Sequence, residues 1–302
     1  MITNQILRNT NPLFQFAKSG KRTTNFFLIM FLIWTFFICN ISFMRKHLQT
    51  NPFVTENPLL NESILSTLQL IGYFFPLIIL VALWVIFYEK RDFATLGFFK
   101  ENAFQKYLEG LFIGIFMLCL LIIFISIFGY YAWETDQSFS ERMQTIFPVF
   151  IILFGYCIQG ASEEILFRGW LMNEAGARFK PWVGILISSI FFGLTHVLLN
   201  RNVNILSFLN ISLCGIFLSL YALRQESLWG PCAWHSIWNW LEGNFFGLEV
   251  SGAKETVSIF SFQEIGPDWI TGGKFGPEGG ILCTSILLFG ISFCFIRSKS
   301  KV

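Results

Sequence analysis

Long apolar stretches alternate with short polar segments from residue 25 to the end of the chain. Eight stretches of 17 to 30 residues carry few charges, and about 20 apolar residues are needed for a helix to cross a bilayer. The pattern therefore predicts an all-α, polytopic membrane bundle of about eight transmembrane helices. The predicted ranges are 25–44, 64–88, 107–133, 146–175, 182–199, 205–223, 228–247 and 280–296.

The segments outside these helices differ in character. Residues 1–24 are polar, basic and without periodicity, so we expect a mobile cytoplasmic segment. Residues 250–279 are rich in glycine and form the longest predicted loop, which we expect to be a solvated connector. Within the second predicted helix, Pro76 predicts a kink because it has no N–H to donate. Gly176 is suited to cap the C-terminus of the fourth helix.

Composition supports a membrane protein. The 302 residues are 54% hydrophobic and 13% charged, whereas soluble domains carry about 25% charged residues. We therefore assign residues 25–302 to one membrane domain. The first apolar stretch is longer than the core of a signal peptide and has no small-residue cleavage site, so we expect it to remain as an anchor. A net charge of +2 gives no indication of a nucleic-acid partner.

The distribution of Lys and Arg predicts the topology. With the N-terminus in the cytoplasm, fourteen of the 21 basic residues fall on the cytoplasmic side and six on the outside, and Arg168 lies within a helix. This asymmetry follows the positive-inside rule and favours an even number of helices. We expect an integral protein of the plasma membrane with both termini in the cytoplasm.

The seven cysteines lie within or at the ends of apolar stretches, and none has the spacing of a metal-binding motif. We interpret them as small core residues.

Two adjacent carboxylates and a guanidinium interrupt the fourth predicted helix, in the stretch Q-G-A-S-E-E-I-L-F-R at 159–168. Glu164 and Arg168 have the i,i+4 spacing of a helical ion pair. Glu163 points about 100° away and has no predicted partner. On the exposed helix of a soluble protein, two glutamates and an arginine at this spacing would form an ordinary surface ion pair. At membrane depth, ionisable residues are costly and usually mark a functional site.

Two other helices carry polar residues at a similar depth. His196 lies in the fifth predicted helix, and His235 and Asn239 share one face of the seventh. Each histidine alone could be a hydrogen-bonded packing residue. At ~1.5 Å rise per residue, Glu163, His196, His235 and Asn239 lie ~12–21 Å from the cytoplasmic ends of their helices. We therefore expect the three helices to close around one polar cavity.

The chemistry that fits this set is hydrolysis by an activated water. Glu163 would act as the general base, with a neighbouring imidazole to orient the water. A histidine and an asparagine on one face, His235 and Asn239, offer hydrogen-bond donors to a developing oxyanion. The pair formed by Glu164 and Arg168 would support the site structurally.

Successive predicted helices carry three ordered motifs: Glu163-Glu164-x-x-x-Arg168, Phe192-x-x-x-His196 and His235-x-x-x-Asn239. They resemble those of a known family, the CAAX prenyl protease and bacteriocin-immunity family of intramembrane glutamic endopeptidases (CPBP or Abi). The resemblance covers about residues 105–296 and includes the sequence G-G-K-F-G-P-E-G-G in the last loop. The family fold is an eight-helix membrane bundle.

The resemblance implies a mechanism and a substrate class. Glu163 and His196 would activate the water without a metal or other cofactor, and His235 and Asn239 would form the oxyanion hole. The remaining two charged residues of the first motif would support the site. The substrate would be a membrane-associated protein or peptide, with or without a lipid. Eukaryotic members remove the C-terminal tripeptide that follows a prenylated cysteine.

Three alternatives remain open on the sequence. Glu163 and the two helix histidines could bind Zn²⁺ with one position left for water, although no HExxH motif is present. The protein could instead be a non-enzymatic membrane scaffold or a bacteriocin-immunity protein. In a transporter, the same residues would be ion or proton sites, but we detect no internal repeat.

Four tryptophans flank His235 and have two interpretations. Tryptophans at helix ends commonly anchor a protein at the membrane interface. Alternatively, they form an apolar wall that receives the substrate. These residues are Trp229, Trp234, Trp238 and Trp240.

Overall fold

The computed structural model describes residues 6–47, 55–134, 138–200 and 202–296, and gives only the backbone of residues 45–47. It is a helical bundle with a few short strands, which confirms the predicted fold class. The longer helices are α2 (Phe26–His47), α3 (Pro58–Leu83), α4 (Ala103–Ile127), α5 (Phe139–Glu164), α7 (Pro181–Leu199), α8 (Ile205–Gln225), α9 (Trp229–Trp240) and α11 (Ile281–Cys294). The short elements are α1 (Pro12–Ala17), β1 (Tyr131–Trp133), α6 (Met172–Arg178), β2 (Glu249–Val250), β3 (Ala253–Lys254), β4 (Phe262–Glu264) and α10 (Asp268–Thr271).

Among the described residues, six helical segments are long and apolar enough to cross a membrane. They are Phe26–Met44, Pro58–Glu89, Ala103–Ile127, Phe139–Arg178, Pro181–Leu199 and Ile205–Gln225. The seventh and eighth predicted helices correspond to α9 and α11, which are shorter. The 14 residues of α11 span only ~21 Å. A polytopic membrane fold is thus confirmed, and the number of crossings stays a prediction. Four of the counted basic residues, Arg201, Arg297, Lys299 and Lys301, lie outside the described residues.

Three helix boundaries differ clearly from the predicted ones, because local capping interactions and a glycine turn determine where these helices begin or end, and the apolar run does not. α3 begins at Pro58, where the side chain of Asn57 accepts a hydrogen bond from the N–H of Leu60. α5 begins at Phe139 behind a capping box formed by Ser138 and Glu141. α4 ends six residues before the predicted end, and Gly129, with φ of +74°, lies in the turn that follows.

Three helices continue into π-helical turns. These turns are Trp84–Glu89 after α3, Ile165–Leu171 after α5 and Leu241–Phe245 after α9. A π turn inserts an extra residue and rotates the following side chains, and such turns are frequent at functional sites. The turn after α5 begins directly behind Glu163 and Glu164. Pro76 lies inside α3, which continues through it, and the kink predicted there stays a prediction.

Small residues let α4 approach α9 closely. A Cβ atom built on Gly110 would lie 2.1 Å from the carbonyl oxygen of Gly230. One turn further on, a Cβ atom on Gly114 would lie 2.5 Å from the side chain of Ile237. Such small-xxx-small spacing allows the backbones of membrane helices to touch. As a result α9, which carries His235, is held against both α4 and α5.

The N-terminal segment is not the mobile lead-in that its polarity predicted. Residues 12–17 form α1, in which Leu13 and Phe14 are fully buried. The side chain of Asn11 donates a hydrogen bond of 2.9 Å to the carbonyl oxygen of Leu223 at the end of α8. The prediction failed because the few apolar residues of this segment are too short a run to show a period.

A buried network of charged side chains stabilises the end of the bundle at which α1 lies. Arg91, predicted to lie in a basic loop, is 6% exposed. Its guanidinium contacts the carboxylate of Glu89 at 2.7 Å and that of Glu174 at 3.1 Å. Glu89 also accepts a hydrogen bond from the indole N–H of Trp170 at 2.9 Å. The network joins the end of α3 to α6 and to the π turn before it.

The segment 250–279 is not a solvated connector. β1 pairs antiparallel with β4, and β2 pairs antiparallel with β3. The apolar side chains of Val257, Ile259 and Phe275 are buried. The segment therefore folds back onto the bundle, which its glycine content alone did not predict.

We expect Gly110→Ala to destabilise the bundle. The added methyl group meets the backbone of Gly230, which cannot move aside cheaply, and overpacking costs about 1–3 kcal/mol. Thermal unfolding in detergent should show a clearly lower Tm than for Phe112→Ala, a control on the same helix whose side chain is 70% exposed. Equal Tm values for the two variants would contradict the close α4–α9 contact.

Candidate active site

One cavity of about 420 Å³ collects the predicted polar residues. Glu163 of α5, His196 of α7, and His235 and Asn239 of α9 all line it. The structure thus brings the three helices around one cavity, as predicted, although most of the cavity lining is apolar. The chemical roles of these residues stay predictions.

Glu163 is 6% exposed, and the prediction that it has no partner is wrong. Its Oε1 accepts a hydrogen bond of 3.1 Å from the amide Nε2 of Gln159, one turn earlier on α5. Gln159 in turn accepts a hydrogen bond of 2.9 Å from Nδ2 of Asn239. Sequence reasoning assigned no role to Gln159, although its spacing of four residues from Glu163 was a usable signal.

His235 lies between the two adjacent carboxylates. Its Nδ1 is 2.8 Å from Oε1 of Glu164, and its Nε2 is 3.5 Å from Oε2 of Glu163. No group in the described part of the chain donates a hydrogen bond to Oε2 of Glu163. That oxygen is therefore buried without a hydrogen-bond donor among the described residues.

Arg168 and Glu164 form the predicted ion pair, which is fully buried. The NH1 of Arg168 donates to Oε1 of Glu164 at 2.8 Å, and both side chains are 0% exposed. The guanidinium carbon lies 4.3 Å from the ring centroid of Phe192, a cation–π arrangement. Glu164 also contacts Nδ1 of His235, so the ion pair of Glu164 and Arg168 fixes the position of the His235 imidazole.

His196 is held by its own helix. Its Nδ1 lies 2.9 Å from the carbonyl oxygen of Phe192. A carbonyl only accepts, so Nδ1 carries the hydrogen, and in the neutral ring Nε2 is the acceptor. The Phe192 ring packs edge-on against His196 and His235, with centroids at 4.7 and 6.1 Å. Phe192 therefore packs against the Arg168 guanidinium and against both imidazoles.

A close backbone contact brings α5 and α9 together at this level. A Cβ atom on Gly160 would lie 2.8 Å from the backbone nitrogen of Ser236. Gly160 follows Gln159, and Ser236 follows His235, so the contact lies between the polar side chains of the two helices.

A family model described as type II CAAX prenyl endopeptidase Rce1-like matches residues 145–241. Residues 145–241 form an Rce1-like domain of the CAAX endopeptidase family. The match runs from α5 to the π turn after α9 and includes all six predicted site residues. It confirms the resemblance for this segment, and for the rest of residues 105–296 the resemblance stays a prediction. Searches of curated proteins and of solved structures found no match.

Tryptophans of the Rce1-like domain form part of the cavity wall. Trp234 and Trp238 line the cavity and stack with centroids 4.7 Å apart. Together with Trp240 they are 1–4% exposed, so the interpretation as interfacial anchors is wrong for these three. Trp229 is half-buried, and its N–H donates to the carbonyl oxygen of Phe99 at 2.9 Å.

Parts of the chain outside the Rce1-like domain complete the cavity. Glu278 accepts hydrogen bonds from the indole of Trp238 at 3.1 Å and from the hydroxyl of Ser251 at 2.5 Å. Glu255 accepts from the hydroxyl of Tyr156 at 2.6 Å, and its burial raises the pKa of its carboxyl. Sequence reasoning missed both carboxylates because they lie in the segment expected to be solvated.

Apolar residues of α2 and α3 form another part of the wall. They lie before the Rce1-like domain in sequence and are Phe37, Ile41, Leu70, Tyr73 and Phe74.

All seven cysteines are free thiols. Cys232, Cys283 and Cys294 are buried as predicted, whereas Cys39 is exposed on α2. Within the described residues, no three His, Cys, Asp or Glu side chains are grouped so that they could hold a metal ion.

We expect Arg168→Met to destabilise the Rce1-like domain strongly. Removing the cation leaves the Glu164 charge buried with fewer partners, a change that typically costs about 3–5 kcal/mol. The control is Arg8→Met, which breaks an Arg–Glu pair of 2.7 Å whose side chains are 47% and 38% exposed. Exposed pairs contribute about 1 kcal/mol or less. Equal losses in denaturant titrations would contradict the structural role of the buried pair.

We expect stability to depend on pH through Glu255. Because the pKa of Glu255 is raised in the folded protein, the folded state favours the protonated carboxyl. This contribution is present below about pH 4, the ordinary pKa range of Glu, and is lost as pH rises through the raised pKa. The Tm of Glu255→Gln should therefore rise relative to wild type between these limits. Tm curves of the variant and wild type that stay parallel across this pH range would contradict this.

Proposed function

We propose that the protein is an intramembrane endopeptidase that hydrolyses peptide bonds of membrane-associated protein substrates with a water activated by Glu163. The observation that carries the proposal is the single cavity lined by Glu163, His196, His235 and Asn239. Membership of residues 145–241 in a CAAX endopeptidase family supports the reaction class.

Glu163 is suited to be the general base. Its Oε1 is occupied by Gln159, whereas Oε2 accepts no hydrogen bond from the described residues. A water at Oε2 would lose its proton to this oxygen as the water oxygen attacks the carbonyl carbon. His196, which offers Nε2 as an acceptor, would help to orient that water.

Asn239 and His235 would stabilise the oxyanion. One N–H of the Asn239 amide goes to Gln159, and the second remains for a substrate oxygen. His235 can donate from Nε2 in its imidazolium form, in which the carboxylates of Glu163 and Glu164 balance its charge. Fixed donors of this kind stabilise charge that develops in the transition state. Glu164 and Arg168 would act by holding His235.

The cavity supports a substrate that is partly apolar. Its volume of about 420 Å³ lies within the usual range of ligand sites, about 300–1,000 Å³. The apolar side chains of α2 and α3 face it together with Trp234 and Trp238. We therefore propose a membrane-associated peptide, with or without a prenyl group, as the substrate.

We further propose a plasma-membrane protein with both termini in the cytoplasm, as the positive-inside rule favours. We also propose that hydrolysis needs no metal ion, which the resemblance to glutamic endopeptidases supports. The zinc alternative makes a different prediction, namely loss of activity on chelation.

The test is cleavage of fluorogenic peptides, prenylated and unprenylated, by the purified protein in detergent. Glu163→Gln should lower kcat by about 10²–10⁴-fold, the usual contribution of a general base, with an unchanged Tm. The control Glu62→Gln alters an exposed carboxylate of α3 and should retain full activity.

The outcomes separate the alternatives. Activity that survives a chelator and is lost in Glu163→Gln agrees with the proposal. Activity that a chelator abolishes and Zn²⁺ restores would favour the metalloprotease. Full activity of Glu163→Gln would overturn the role of Glu163.

A further inference from the structure

Four side chains on two facing helices form a closed polar arrangement. Gln159 and Glu163 are four residues apart on α5, and His235 and Asn239 are four residues apart on α9. Gln159 contacts Asn239 at 2.9 Å, and Glu163 faces His235 at 3.5 Å. The contact of 3.1 Å between Gln159 and Glu163 joins the two cross-helix contacts. Gln159 is thus the one member that touches both the base and the amide.

The spacing of the two helices leaves Gln159 little freedom. The close approach of Gly160 to the backbone of Ser236 fixes the distance between α5 and α9 at this level. Gln159 is 8% exposed, so its amide has few other partners to choose from. Its position is therefore set by backbone packing and by its two hydrogen bonds.

The hydrogen bonds can run in only one direction while Glu163 is ionised. A carboxylate only accepts, so Gln159 must turn its NH₂ group towards Glu163. Its carbonyl oxygen then faces α9, and Asn239 must turn its own NH₂ group towards that oxygen. The charge on Glu163 thus determines the orientation of the Asn239 amide through Gln159.

This arrangement also selects the oxygen of Glu163 that can take a proton. Oε1 is engaged by Gln159, whereas Oε2 lies opposite Nε2 of His235. As the water oxygen bonds to the carbonyl carbon, one of its O–H bonds breaks, a new O–H bond forms at Oε2, and the π pair of the carbonyl moves to its oxygen, which becomes the oxyanion. When the oxyanion collapses and the C–N bond breaks, the proton on Oε2 passes to the leaving amine. Oε1 remains an acceptor, so the chain of hydrogen bonds through Gln159 to Asn239 persists through the step.

We propose that Gln159 is a positioning residue of the hydrolysis, which holds the base Glu163 and the oxyanion donor Asn239 in register across α5 and α9. The inference rests on the proposed function and adds a residue and a role to it. A purely structural hydrogen bond would affect stability alone, whereas a positioning residue also affects kcat and its dependence on pH.

The main test compares Gln159→Met, which keeps the length of the side chain without its polar atoms, with wild type. We expect kcat to fall about 10- to 100-fold, the loss explained by one hydrogen bond to a charged group. KM should change less than about twofold because binding contacts are retained. The acidic limb of the kcat/KM profile should move to higher pH by about one unit, since an N–H donor that favours the ionised base is lost.

A second variant and a matched control sharpen the test. Gln159→Glu keeps an acceptor for Asn239 but replaces the donor with another carboxylate, so the acidic limb should move further than in Gln159→Met. The control Ser188→Ala removes a different buried hydrogen bond, of 2.7 Å to the carbonyl oxygen of Phe167 in the π turn after α5. It should lower Tm by a similar amount and leave the pH profile unchanged.

A measurement that needs no activity separates this inference from the proposed function. Infrared titration, with Glu163→Gln as the subtraction reference, follows protonation of the Glu163 carboxyl directly. We expect its midpoint to rise in Gln159→Met. An unchanged midpoint, or a Gln159→Met enzyme with the kcat and pH profile of wild type, would overturn the positioning role. Absence of cleavage by wild type, with a shifted midpoint, would count against the proposed function alone.

Discussion

The structure depends on how the negative charges of two adjacent carboxylates, Glu163 and Glu164, are stabilised inside an apolar bundle. A buried charge is tolerated only when partners and hydrogen bonds replace the water that it loses. The Oε1 of Glu164 lies 2.8 Å from NH1 of Arg168 and 2.8 Å from Nδ1 of His235. Glu163 lines the cavity, accepts a hydrogen bond only from Gln159, and has an Oε2 that accepts none from the described residues. Glu164, which has a cation beside it, is suited to a structural role, and Glu163, which lines the cavity, is suited to the role of general base that we propose.

This compensation requires helices that touch. Gly110 and Gly114 on α4, and Gly160 on α5, remove the side chains that would otherwise hold α9 away. With the backbones in contact, short polar side chains can reach across from α5 to α9. The Rce1-like domain contributes α5 and α9 to these contacts, and α4 precedes it in sequence. Helices α2 and α3, before it in sequence, and the segment 250–279, after it, close the cavity with apolar and acidic side chains.

Local sequence patterns were sufficient for much of the fold and predicted four of the residues that line the cavity. Apolar runs predicted the fold class and the approximate positions of the helices because burial in lipid requires about 20 apolar residues. The i,i+4 spacing predicted the pair of Glu164 and Arg168. Patterns failed where a short apolar run is stabilised by distant contacts, as for α1 and for residues 250–279, since such runs show no period of their own.

The sequence by itself determined a helical membrane bundle with ionisable residues at a common depth on three helices, because hydropathy and helical spacing are properties of the local chain. Only the tertiary structure decided which groups meet. It assigned His235 to both glutamates, and it gave Gln159 a contact with Asn239, 80 positions away in the chain. It also placed Trp234 and Trp238 in the cavity wall and not at the interface. These outcomes depend on the distance between helix backbones, which glycine contacts set and which local periodicity does not encode.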